Sequence, residues 1–229
     1  MRALLAALLL AWPVATSAQV VGAAYDAPSH RYGHNVLGTQ GEWDALVLTL
    51  ADGRQVRIVP PDAGIFEDTA PRLADLDGDG APEVVTVRTS LTRGAALVVY
   101  GPEGEIAATP PIGAPHRWIA VVGIADLDGD GRPEIAVVDR PHLAKVLRLY
   151  GLRDGRLVEL AAAGGLTNHH FGEATPEGGI RTCGGLPEVV VADGQWQRIL
   201  AARLVAGRIL GRDLGRYRGP ASLAAALRC

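Results

Sequence analysis

The sequence predicts an all-β chain: a small β-propeller of about four four-stranded blades, repeating every 51 residues or so. Three observations carry that expectation. ADLDGDGAPEVV (Ala74–Val85) returns as ADLDGDGRPEIA (Ala125–Ala136), shifted by 51 residues. Four apolar runs close in short turns whose glycines, Gly53, Gly104, Gly155 and Gly207, are spaced 51, 51 and 52. The stretches between are short and β-branched, and 29 glycines suit a chain of many tight turns. Four short antiparallel strands per unit, at a fixed period, mark propeller blades, whereas a β-sandwich needs no such regularity.

At the N-terminus, Met1 and Arg2 precede the apolar run Ala3–Trp12, then Pro13 and the small residues Ala15-Thr16-Ser17-Ala18. This order predicts a signal peptide over residues 1–18 and a protein exported to the periplasm or the medium. A bilayer span needs about 20 apolar residues; this run has half as many, no cysteine follows it to carry a lipid, and no membrane span is expected later. Two cysteines, Cys183 and Cys229, in an exported chain predict one disulfide. A formal charge of −3 without a basic stripe argues against nucleic acid as a partner.

The repeat units are expected over residues 19–219. In the third, strands are placed near Ile119–Ala125, Glu134–Asp139, Ala144–Tyr150 and Arg156–Leu160. The second has counterparts near Pro71–Ala74, Glu83–Arg88, Ala95–Tyr100 and Glu105–Ala108. Val84–Val87 and Ile135–Val138 are largely apolar on both faces, as strands covered on two sides must be. The fourth unit repeats weakly through LPEVVVAD, with Glu188 lying 54 after Glu134. Trp43 and Trp196, 153 residues apart, share a phase in the first and fourth units, which become neighbours if a ring closes. Residues 220–229 form a tail, helical near Leu223–Leu227 and tethered by the disulfide.

The acidic loops carry the sharpest chemistry. Asp75, Asp77 and Asp79 alternate, followed by Gly80 and Glu83; Asp126, Asp128, Asp130, Gly131 and Glu134 repeat the arrangement. Alternate carboxylates in a tight loop face one centre and repel strongly unless a cation neutralises them, and hard oxygen ligands select Ca²⁺. The backbone carbonyls of Ala81 and Arg132 would complete each shell with water. An EF-hand is excluded, because its twelfth position needs a carboxylate and here holds Thr86 or Val137. Metal-free Asp-Gly turns are the plainer alternative; two copies with identical acid placement argue against them.

Two blocks of the form D-x-D-x-D-G-x-P-E, each leading into a buried strand, resemble FG-GAP/VCBS repeats, the family that includes the integrin α-subunit propeller. The resemblance is specific over Pro71–Asp139 and rests on periodicity elsewhere. It implies a propeller with calcium in loops between the first and second strands of a blade, and an exported recognition or adhesion role. In the fourth unit Ile180, Thr182 and Gly184 replace the acids, leaving Glu188; the first unit offers Ala24, Asp26, Pro28 and Tyr32. Two calcium sites are therefore expected, and four units leave open a small closed ring or an open arc.

For catalysis the best candidate is TNHHFGE, with His169, His170 and Glu173. Adjacent histidines on a strand point to opposite faces and could not share one metal. His30, His34, His116 and His142 look scattered, and no Gly-x-Ser-x-Gly elbow is present. The expected function is an exported calcium-stabilised binding module for a protein or glycan of the cell envelope. The alternative is a small periplasmic hydrolase using His169 or His170.

Overall fold

Apolar side chains that alternate along short strands give each sheet two sticky faces, and the chain satisfies them by stacking sheets. The computed structural model describes residues 18–229, so the expected signal peptide lies outside the described residues except for Ala18. The fold is all-β apart from one short helix.

The first unit contributes β1 (Val20–Pro28), β2 (Glu42–Leu50) and β3 (Gln55–Ile58). The second contributes β4 (Ile65–Glu67), β5 (Arg72–Ala74), β6 (Glu83–Ser90), β7 (Gly94–Gly101) and β8 (Gly104–Ala108). In the third unit β9 (Ile119–Ala125) and β10 (Glu134–Asp139) fall where the sequence puts them, while β11 (Val146–Arg153) starts two residues later than expected and ends three later, and β12 (Arg156–Gly164) runs longer. The fourth contains β13 (Leu166–Thr167), β14 (Gly179–Arg181), β15 (Glu188–Asp193), β16 (Arg198–Val205) and β17 (Arg208–Arg216). Neighbouring strands pair antiparallel within three sheets of eight, four and five strands, none closed on itself. The four turn glycines all adopt the positive φ expected of them, between 69° and 123°.

Only the third unit shows four uninterrupted strands. The first has three. In the second, the strand nearest the loop start is broken into β4 and β5, both paired to β6. Pro71, between them, has no N–H to give a ladder, and the buried Asp68 instead accepts the Thr69 N–H at 2.7 Å and binds Arg72 at 2.7 Å. Because β4 also pairs with β2 (Trp43 opposite Phe66), the first two units share the eight-stranded sheet. In the fourth unit, residues 168–178 interrupt the corresponding strand, and β13 and β14 both pair with β15. Gly178 closes that insertion at φ 86°, where a Cβ would lie 2.3 Å from the Val190 carbonyl oxygen.

The period-2 alternation sorts side chains between successive sheets. Leu46, Leu48 and Leu50 of the first unit meet Val84, Val98 and Tyr100 of the second. On the opposite face, Val85, Val87 and Val99 meet Ile135 and Val137 of the third. Ala136, Val138 and Leu149 then meet Val189, Val191 and Leu204 of the fourth. This is why strands β6 and β10 read as apolar on both faces. The first and fourth units touch through loops, the Gly172 N–H donating to the Val36 carbonyl at 2.9 Å. Trp43 and Trp196 pack apart, Trp43 on Tyr25 and Trp196 on His170.

The tail forms α1 (Pro220–Ala226), whose proline sits in the first turn and whose Leu223 is buried against Val190 and Ile199. The expected Cys183–Cys229 disulfide is present, with Cα atoms 5.6 Å apart. No helix among the described residues is long and apolar enough to cross a membrane.

Candidate metal loops and a histidine-lined face

The acidic loops join β5 to β6 and β9 to β10, and they superimpose bond for bond. Gly78 and Gly80 turn at φ 82° and 88°, Gly129 and Gly131 at 84° and 86°. Asp75 accepts the Gly78 and Gly80 N–H groups at 2.8 and 3.0 Å; Asp126 accepts those of Gly129 and Gly131 at 2.7 and 3.0 Å. Glu83 Oε2 accepts the Leu76 N–H at 2.8 Å, and Glu134 Oε2 the Leu127 N–H at 2.8 Å. Backbone donors of the loop itself thus fix the orientation of the carboxylates.

Ligand oxygens of Asp75, Asp77 and Glu83 lie within 4.8 Å of one another, as do those of Asp126, Asp128 and Glu134. Asp79 and Asp130 stand outside these groups and accept the N–H of Ala81 and Arg132 at 2.7 and 2.8 Å. Among the described residues, Asp77 Oδ2 and Glu83 Oε1 accept no protein hydrogen bond, so hard oxygens remain free to bind a cation, and the donor set fits Ca²⁺. Burial, followed by the charges of Asp77, Asp79 and Asp75, raises the Glu83 carboxyl. Burial, with Asp128 and Asp130 adding to it, pushes Glu134 up to about 7. Among the described residues a guanidinium reaches only the second loop: Arg153 is 3.2 Å from Asp130 and 3.4 Å from Glu134.

Two copies of one acidic turn, each feeding a buried strand, decide the comparison with known sequences. Residues 75–137 match the FG-GAP-like repeat. The match starts at the first acid of one loop and ends just beyond the last acid of the next. No curated protein matches the chain.

Outside the FG-GAP-like segment, the fourth unit shows what replaces the acids. Glu188 is fully buried, and Arg181 binds its Oε2 at 2.8 Å, Arg203 its Oε1 at 2.8 Å and Arg212 its Oε2 at 3.1 Å. Burial alone would raise its carboxyl; hydrogen bonds from Arg181 and Arg212 outweigh that and hold it below the usual value. In the first unit, Asp26 pairs with Arg57 at 3.0 Å instead of joining an acidic loop.

At the opposite ends of these sheets the histidines gather. The ring centroids of His34 and His116 are 5.1 Å apart, those of His142 and His169 5.1 Å, and Phe171 lies 5.8 Å from His34 and 5.4 Å from His142. Together with Gly33, Arg117 and Leu143 these residues, except the buried His169, line an open depression of about 340 Å³. Phe171 and Leu143 stand 60% and 61% exposed at it. His34 Nδ1 is 2.6 Å from Glu67 Oε1, and Glu67, fully buried, also accepts the Thr89 hydroxyl at 2.9 Å. Burial raises the Glu67 carboxyl despite its bond to His34.

His169 and His170 lie in the segment that follows β13 rather than on a strand, and their side chains still diverge. His169 turns inward: its Nε2–H donates to the Glu173 carbonyl at 2.8 Å, leaving Nδ1 to accept from His142 Nε2 at 3.0 Å. Burial and the neighbouring imidazoles lower His142 to about 4, and burial lowers His169. His170 turns outward to Glu173 and Glu177. His30 lies apart, in a separate depression beside Trp43. His34, His116 and His142 are the site residues a reading by local motif passes over. Part of the missing signal is in the spacing: His116 and His169 are 53 residues apart, close to one repeat, whereas His34 and His142, 108 apart, miss two repeats of 51 by six.

Proposed function

We propose that this chain is an exported, calcium-stabilised interaction module, its four units arranged as a small β-propeller or open arc of blades. The observation that carries the reading is the duplication of a pre-aimed, metal-sized carboxylate cluster at the same point of two successive sheets. Calcium in both loops, with Ala81 and Arg132 adding their carbonyls, acts structurally by joining each inner strand to the next. The disulfide accords with export. Binding then belongs to the far face, where Phe171 and Leu143 flank a shallow imidazole-rich depression suited to a protein or glycan of the envelope. Direct metal counting tests the core of this. Wild-type protein should hold two Ca²⁺ per chain, Asp77→Ala and Asp128→Ala one each, and the double variant none. Two ordinary turns would leave all four proteins equally metal-free.

A second reading, a small hydrolase, draws on one specific observation: the His34–Glu67 pair opens onto the same depression. In that reading His34, rather than the buried His169, is the general base. Turnover of an ester or glycoside library that disappears in His34→Gln would establish it; a silent library returns the face to binding alone.

A further inference from the structure

The insertion that splits the fourth unit's inner strand places His170, Glu173 and Glu177 around one point, with one ligand atom of each within 4.8 Å of the others. His170 Nδ1 is 3.6 Å from Glu173 Oε2 and 3.6 Å from Glu177 Oε1. These gaps are too long for hydrogen bonds. They are close to the edge of a tetrahedron built on metal–ligand bonds of zinc length, about 3.4 Å. Nδ1 is shut off from solvent and has no hydrogen-bond partner, which leaves a buried ring nitrogen uncompensated.

The surrounding residues hold this geometry rigidly. The Trp196 ring stacks on His170 with centroids 3.7 Å apart and planes 20° from parallel. Tyr217 donates its hydroxyl to Glu177, with both carboxylate oxygens within 3.0 Å, and the Glu177 side chain is nine-tenths buried. Trp196 and Tyr217 also pack on each other. Two carboxylates and one imidazole form a softer set than the all-oxygen acidic loops, and such sets select zinc-class ions over Ca²⁺. Three protein ligands leave the fourth position to water or to a donor from a partner.

We propose that His170, Glu173 and Glu177 form a site for one divalent transition-metal ion, at the end of the sheets opposite the calcium loops and independent of them. Cobalt(II) is the probe, added to full-length mature protein already saturated with Ca²⁺, so that the acidic loops cannot account for the signal. One equivalent should bind, with d–d absorption of a four- or five-coordinate ion and quenching of Trp196 fluorescence, and Zn²⁺ should displace it. His170→Gln should abolish binding. Glu173→Gln should weaken it at least tenfold, and because that carboxylate is exposed, the variant should fold normally. No stoichiometric Co²⁺ in the wild type would overturn the assignment, as would binding that persists unchanged in His170→Gln or Glu173→Gln. Loss of calcium from the acidic loops would leave this result standing, so the two metal claims fail separately.

Discussion

The turn before β10 and the turn before β15 occupy the same place in successive units and solve the same problem oppositely. Each buries a glutamate at the head of an inner strand, Glu134 or Glu188. Around Glu134 stand more carboxylates, and the protein alone leaves it pushed up to about 7. Around Glu188 stand three guanidiniums, which hold it below its usual value, and the turn is clamped by the Cys183–Cys229 bridge. A buried carboxylate is stabilised by a nearby cation; in the function proposed above the Glu134 turn would take it from solution, whereas the Glu188 turn builds it into the chain. The Glu134 loop is a partial intermediate, since Arg153 already reaches into it.

The largest effect should come from removing the chain's own cation. Arg181→Ala breaks a pair whose side chains are 9% and 1% exposed, and loses the Arg181 bond to the Ala226 carbonyl. Because Arg203 and Arg212 still pair with Glu188, denaturant unfolding should show a loss at the low end for a broken buried pair, about 3 kcal/mol, with metal content unchanged; altered calcium binding would mean the two turns are not independent. Acid tests the same cluster. Because the folded-state pKa of Glu188 is depressed, its stabilisation is complete above the ordinary value of 4.5 and drains away as pH falls through the folded one. Glu188→Gln should flatten that part of the stability profile.

Opening the disulfide should cost about 2–4 kcal/mol, equally with and without chelator, as expected of separate sites. Non-additive losses would show that the fourth turn and the acidic loops share their support. Chelation should then lower stability by about 2.7 kcal/mol per site relative to calcium at a hundred times Kd, with Ca²⁺ restoring the melting temperature better than Mg²⁺. Identical melting in chelator and in calcium would collapse the contrast. The smallest effect belongs to Arg153→Ala, which removes a competing cation. Calorimetry should show the second loop binding Ca²⁺ tighter by about 1 kcal/mol, with the first loop unaltered.

How much of this was legible depended on whether the partners were close in sequence. The acidic character of both loops could be read because every acid lies within nine residues of the next strand's start and the pattern occurs twice. Strands β9 and β10 were legible for a similar reason, their alternation being set by sheets on both sides. The split of the inner strands was not, since it depends on Pro71 and Asp68 in one unit and an inserted segment in another. The histidine face was least legible, because His34, His116, His142 and His169 come from three units and no short window holds more than two of them. Likewise the arginines around Glu188 arrive from β14, β16 and β17, so that position reads as a lone remnant acid until the sheet is assembled.

The strand β4 belongs to two ladders at once, with Phe66 opposite Trp43 on one side and Arg88 on the other. A stack of separate sheets can fray from its end one sheet at a time, each boundary giving way when its own interface opens. A shared rung removes that freedom for the first pair. Hydrogen exchange should therefore find amide protons of β2 and β6 sharing one opening reaction, the N-terminal half acting as a single cooperative foldon, while the third and fourth units keep separate opening energies.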